Sequence, residues 1–300
     1  MDMLTRTIIA SSLLLSVLGG PEAFGDLVPY MPGMDVFSKF QMYSGYLPLA
    51  GSSLHYVFDT SQNDPVNDPF LIWFNGGPGC SSLGGWGTEH GPYVIDETYT
   101  TFHYNPYSWN TFANVLYIES PGGVGYSTCD SVTDCTFDDD STAADNLRAV
   151  IYFFETLFPE YLPNELYLTG ESYAGIYVPY LLDLMHKHNQ DESRTITFNL
   201  KGMMVGNGDT NMHYDALQAG MQMTYWHGFY SDTIHDIFEE NDCYSQFSIL
   251  STSVTAICLE AFIEYENQMT YTNPYNIYGP CAGAEPATME GPETLEESDQ

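Results

Sequence analysis

Apolar and polar positions change their period several times along this chain. Leu54-His55-Tyr56-Val57-Phe58 alternates, as a strand with one buried face does, and then enters a polar turn from Ser61 to Asp68. Phe70-Leu71-Ile72-Trp73-Phe74 is apolar throughout and stops at Asn75-Gly76-Gly77-Pro78-Gly79. A solid run of that length predicts a strand buried on both faces. Asn114 to Ile118 repeats the pattern and ends in Pro121-Gly122-Gly123. Ser141 and Thr142 read as the cap of a helix through about Phe158, with Ala144, Leu147, Ile151 and Phe154 on one face. Leu166-Tyr167-Leu168 is a further strand that breaks at Gly170, a helix begins near Tyr173, and Leu200 to Val205 is strand again.

Strands that alternate with helices and break at glycines predict an α/β fold with a parallel sheet. Ligands of such sheets bind at the carboxyl ends of strands, where these glycine breaks fall. Beyond Asp209 the texture changes. Residues 211 to 268 are rich in Met, Tyr and Phe, keep a helical period, and read as an inserted helical cap. From Ala282 the chain is rich in Gly, Pro and Glu and is expected to be disordered. At the other end, Arg6, the apolar stretch Ile8 to Leu18 and Ala23-Phe24-Gly25 read as a signal peptide cut ahead of Asp26. That stretch is shorter than the roughly 20 residues of a membrane-spanning helix, and no later one is longer. The expected organisation is therefore a signal peptide over 1–25, a core over 26–210, a cap over 211–281 and an acidic tail over 282–300, with a soluble, exported mature protein.

Charge narrows the partners. Forty acidic residues against 6 basic ones give a net charge of -34. Such a surface repels phosphate backbones and anionic lipids, which argues against nucleic-acid and membrane roles. It also suits acidic surroundings, where protonation relieves the self-repulsion, although acidity by itself signifies only solubility. No His/Cys cluster has metal-ligand spacing and no P-loop pattern occurs, so no metal or nucleotide cofactor is expected. Export permits disulfides, and Cys129 and Cys135, six apart on one loop, are expected to form a local bridge.

Two segments carry candidate chemistry. Gly170-Glu171-Ser172-Tyr173-Ala174 lies between a strand and a helix, the setting of a nucleophile elbow in which small neighbours let a strained serine expose its hydroxyl. The following helix turns its N-terminal N–H groups toward that serine and favours a negative oxygen there. A five-residue pattern of this kind also marks ordinary tight turns, so the strand–turn–helix context carries the reading. The second segment, Asn75-Gly76-Gly77, ends another strand and offers backbone donors for an oxyanion.

The strings WFNGGPGCSS, NPYSWNTFANVLYIESPGGVGYS, FPEYLPNELYLTGESYAGIYVP and FNLKGMMVGNG closely resemble the serine carboxypeptidases, and the resemblance runs from about Met34 to Gly283. It implies an α/β-hydrolase fold with a helical cap insertion, acting on peptide or protein C-termini through an acyl-enzyme in the lysosome, vacuole or extracellular space. It makes Ser172 the nucleophile and the N–H groups of Gly77 and Tyr173 the oxyanion hole. Asn75, Glu89 and Glu171 become the site for the substrate's C-terminal carboxylate. Two carboxyl groups facing a third cannot all be charged, so one should hold a proton, and binding should weaken above acidic pH. The resemblance also implies a cap disulfide at Cys243 and Cys258, and a possible homodimer. Cys80 and Cys281 match cysteines whose family partners lie further along, so they are either orphaned or paired with each other.

In this family the general-base His and its orienting Asp follow the cap. None of the eight histidines (His55, His90, His103, His186, His188, His213, His227, His235) falls in a matching segment. Asn207-Gly208-Asp209 looks like the Asp turn, but Phe198 to Gly206 aligns it with an earlier strand. The strands bearing Asp and His are therefore expected to be missing from this chain, which alone should be nearly inactive; a second chain could bring both. Two other readings stay open: a non-catalytic relative that binds peptides or stabilises partners, and a truncated gene product.

Overall fold

The computed structural model describes residues 23–31, 39–96, 98, 100–211, 214–215, 217–247, 253–270 and 272–279. Most of the expected signal peptide, Cys281 and the acidic tail lie outside the described residues. The chain divides into two units, 1–210 and 211–300.

The first unit contains the strands β1 (Met42–Pro48), β2 (Ser52–Asp59), β3 (Phe70–Phe74), β4 (Tyr93–Ile95), β5 (Phe102–Tyr104), β6 (Asn114–Ile118), β7 (Thr128–Cys129), β8 (Leu166–Glu171) and β9 (Leu200–Gly206). All five residues of β3 and of β6 are buried. Strands without a polar face need cover on both sides, and these two lie side by side in the middle of the sheet, in the order β1-β2-β6-β3-β8-β9, with β7 added to β2. β6, β3, β8 and β9 run parallel. β1 and β2 do not: β1 pairs antiparallel with β2, and β2 antiparallel with β6, so the sheet is mixed rather than parallel. The three residues between β1 and β2 leave room only for a hairpin. β4 and β5 form a separate hairpin.

The helix Asp139–Tyr152 is capped one turn earlier than Ser141 suggests. The Asp138 carboxylate accepts the Ser141 N–H at 2.7 Å, and the Ser141 hydroxyl accepts the Asp138 N–H at 2.9 Å, a reciprocal capping box. Its buried stripe is Thr142, Ala143, Asn146, Ala149 and Val150, whereas Ala144, Leu147 and Ile151 are half-buried. The helix lies against both β1 and the helix Ala174–Gln190, so the apolar positions divide between two neighbours. A π-helical turn, Phe153–Leu157, follows it.

Apolar clusters cover both faces of the sheet. Tyr43, Tyr56, Phe58, Phe70, Phe153 and Phe158 fill one side, and Met42, Val57, Trp73, Trp86, Val115 and Tyr117 the other. Fully burying each such side chain contributes about 1.5–3 kcal/mol. The second unit packs the helices Leu217–Trp226, Asp232–Glu240, Cys243–Gln246 and Ala256–Met269 around Tyr230 and Phe238. Cys129–Cys135 and Cys243–Cys258 are bonded, and Cys80 is an exposed free thiol. Among the described residues, no helix is long and apolar enough to cross a membrane.

Candidate active site

β3 and β8 are parallel neighbours with Phe74 opposite Gly170, so the chains that leave them emerge together at one edge of the sheet. Ser172 follows β8 directly. Its φ is 58°, a left-handed conformation that costs a non-glycine residue roughly 1–2 kcal/mol. Three backbone hydrogen bonds hold it there. The Ser172 N–H donates to Gly206 O at 3.1 Å, and Ser172 O accepts from Asp209 at 2.8 Å and Gly175 at 2.9 Å. The side chain is half-buried, and its hydroxyl has no hydrogen-bond partner among the described residues.

The glycine segment after β3 presses against this turn. A Cβ placed on Gly76 would lie 2.4 Å from the Tyr173 N and 2.9 Å from the Ser172 Cβ. Gly76→Ala is therefore expected to destabilise the protein by about 1–3 kcal/mol through overpacking. Gly206→Ala, where the Cβ meets nothing within 4 Å, provides the control, and urea unfolding midpoints compare the two. Gly77 has φ of 113°, which L side chains rarely adopt. Cys80 N–H donates to Gly76 O at 3.0 Å and closes the loop, while Gly79 N–H donates to the Tyr177 hydroxyl at 3.3 Å. Tyr173 caps the helix Ala174–Gln190, so its N–H stands among the donors that a helix leaves unpaired. The N–H groups of Gly77 and Tyr173 thus sit on two abutting turns beside Ser172.

The acid pair assembles next to them. Glu171 ends β8, Asn75 follows β3, and Glu89 lies on a π-helical turn, Gly85–His90. Asn75 Oδ1 accepts from Trp73 Nε1 at 2.8 Å and from Gly85 N–H at 2.9 Å. Those two bonds fix the amide so that its NH₂ faces the acids. The Glu89 carboxyl stands beside both Glu171 and the Asn75 amide. Two carboxyl groups can bond to each other only if a proton lies between them. Burial raises the Glu89 pKa, and the Glu171 charge raises it further.

Sequence reasoning missed the support behind the glycine loop. Ser81 donates to the fully buried Glu119, which also meets His55 Nδ1 at 2.8 Å and accepts the Tyr126 N–H at 2.9 Å. Burial alone would raise the Glu119 pKa, but the hydrogen bonds from His55, Ser81 and Tyr126 outweigh it and hold the carboxyl below its usual range. Glu119 closes an apolar strand, and only its fold partners reveal its role.

Among the described residues, the histidines are engaged away from Ser172. His55 bonds Glu119 and Ser44, His90 bonds Tyr117, and His186 and His188 bond Gln190 and the Ile196 carbonyl. His103 faces Asp96, His227 bonds the Met223 carbonyl, and His235 lies beside Glu239. His213 lies outside the described residues. Asp209 meets Ser172 through its backbone N–H.

Residues 32–299 match the family model for serine carboxypeptidases. The chain is 41% identical to the lysosomal protective protein (cathepsin A) of Mus musculus over 94% of its own length and 59% of that protein's. It is 42% identical to a serine carboxypeptidase of Caenorhabditis elegans over 69% of its own length and 37% of that protein's. The solved structure of a prohormone-processing carboxypeptidase from Saccharomyces cerevisiae aligns with a TM-score of 0.67 at 23% identity, covering 84% of this chain and 58% of that one, which shows a shared α/β-hydrolase fold. The chain thus spans at most 59% of the length of these curated relatives.

Proposed function

We propose, for a chain that belongs to the serine carboxypeptidase family, that Ser172 is the nucleophile of a reaction releasing C-terminal residues from peptides in acidic surroundings. The observation that carries this reading is the left-handed turn at Ser172, set against Gly76 and one residue from an acid pair. Ser172 Oγ attacks the carbonyl of the last peptide bond. The N–H groups of Gly77 and Tyr173 take up the charge that develops on oxygen. Asn75, Glu89 and Glu171 hold the carboxylate of the departing residue, which leaves as a free amino acid, and water then hydrolyses the ester on Ser172. Acidic pH suits this site, because Glu89 and Glu171 share a proton only below the raised Glu89 pKa, and a lysosomal or vacuolar compartment fits.

Both acyl-transfer steps need a base, which we assign to a segment outside this chain. β9, an edge strand of the sheet among the described residues, supports that assignment: Met203 and Met204 point to opposite faces and are 48% and 50% exposed. A parallel strand added there would end at the same sheet edge as β8. Without its base, the site retains only the ~10³–10⁴-fold over water that an oxyanion hole and binding supply. The 300-residue chain should therefore release C-terminal residues only slowly at pH 5, and Ser172→Ala, which keeps the oxyanion hole and the binding site, should change that residual rate little. When a segment supplying the base is added, fast release should appear in the unmodified chain and not in Ser172→Ala; fast release by the variant would exclude Ser172, and fast turnover by the chain alone would exclude the second segment. The assembled acid pair beside an unpaired serine hydroxyl also favours a second reading, a peptide-binding protein without turnover. Binding that requires a free C-terminus and yields no product would distinguish it.

A further inference from the structure

The turn Gly85–His90 is only six residues long, yet it must place Glu89 against Glu171. Two buried contacts fasten it to the sheet. Trp86 Nε1 donates to Asp59 Oδ2 at 2.9 Å, from the end of β2. His90 Nδ1 shares a 3.1 Å hydrogen bond with the Tyr117 hydroxyl of β6. The His90 ring stacks on Trp109 at 4.0 Å and meets Trp73 edge-on at 4.2 Å. Asp59, Trp86, His90 and Tyr117 are all buried. The first residue of the turn is tied as well, through Gly85 N–H to Asn75.

We propose that Asp59 and Tyr117 are positioning residues for the acid pair: by holding Trp86 and His90 they fix the turn so that Glu89 meets Glu171 carboxyl to carboxyl, with no cation between them. This rests on the proposed carboxylate site and adds what sets its proton affinity. The titratable groups around the turn are Glu171 from β8, Tyr117 from β6, Asp59 from β2 and His90 of the turn itself. Burial keeps Asp59 protonated to about pH 8 and His90 neutral down to about pH 4, so the anchor is uncharged where the pair works. Among the described residues, the basic side chains are engaged elsewhere: Lys39 over the Tyr104 ring, Arg148 with Asp145, Lys187 with Asp183, Arg194 with Thr197 and Lys201 near Glu165. Glu89 therefore answers to Glu171 and Asn75, and its geometry toward them depends on the anchor.

Carbon NMR of the Glu89 carboxyl in the full chain, assigned with Glu89→Gln, tests this without requiring catalysis. Tyr117→Phe and Trp86→Phe each remove one anchoring bond and should lower the Glu89 midpoint toward the ordinary carboxylate range. Asp59→Asn keeps an acceptor for Trp86 and should leave the midpoint in place, whereas Asp59→Ala should lower it. Folded Tyr117→Phe and Trp86→Phe variants in which Glu89 titrates as before would overturn the proposal, as would identical behaviour of Asp59→Asn and Asp59→Ala. Calorimetry with acetyl-Ala-Phe-Ala and its C-terminal amide judges the carboxylate site separately. Equal affinity of the unmodified protein for both would end that reading while leaving the NMR result to decide the anchor.

Discussion

Asp59→Asn is expected to stabilise the protein by about 5 kcal/mol at pH 8 and to change it little near pH 4. Burial raises the Asp59 pKa from 3.8 to about 8, against a smaller opposing effect of the Trp86 hydrogen bond. Between those values the folded protein holds a proton that the unfolded chain has released. Stability from this group is thus full below pH 4 and is lost, at about 1.4 kcal/mol per pH unit, as pH rises to 8. His90 acts in the opposite direction. Burial lowers its pKa from 6.5 to about 4, so its contribution is full above pH 6.5 and is lost as pH falls through 4. The two slopes oppose each other between pH 4 and 6.5, and only Asp59 acts from 6.5 to 8. The unmodified protein should be nearly level and then decline, while Asp59→Asn should rise and then level off. Asp26 and Glu89, also raised by burial, tilt both curves downward alike and leave the difference between them to Asp59. Urea unfolding at pH 4, 6.5 and 8 measures the difference, and parallel curves for the two proteins would refute the assignment.

Affinity for a peptide's free C-terminus is expected to fall about tenfold for each pH unit above the raised Glu89 pKa. Below it the acid pair holds one proton and can donate to the incoming carboxylate; above it two charges repel that carboxylate. The peptide's own terminus protonates near ~3.3–3.7, which bounds the binding window from the acid side. Glu89→Gln replaces the titrating group by an amide that donates at every pH. Its affinity should match the unmodified protein's below the raised Glu89 pKa and stay level above it, where the unmodified protein weakens by about tenfold per pH unit. A C-terminal amide should bind both proteins weakly at every pH. Retention of the pH slope in Glu89→Gln would show that another group controls it.

How much of this was legible in the residues depended on whether the signal was local. β3 and β6 could be read to the residue because a run buried on both faces has no ambiguous edge. The turn at Ser172 was visible because an apolar strand run stops at Gly170 and a helical run begins near Tyr173, a context that the small residues alone would not supply. β1 was not, since Ser44 and Gly45 break its alternation, and only its pairing with β2 makes it a strand. Nor was the π-helical turn around Glu89: three glycines from Gly84 to Gly87 give it little helical propensity, and contacts with Asn75, Asp59 and Tyr117 shape it instead. Asp59 and Glu119 were passed over as strand-end acids, because burial distinguishes them and burial is a property of the whole fold.

At Ser172 the main-chain amide and carbonyl are both committed, to Gly206, Asp209 and Gly175, in a conformation few side chains accept. The freedom left to the residue is rotation about the bond to its hydroxyl. An acyl group loaded onto that oxygen would swing on a fixed pivot, with the scaffold unmoved as the ester forms and breaks. The torsional energy is thus a standing cost of the fold, the same whether or not that oxygen carries a group.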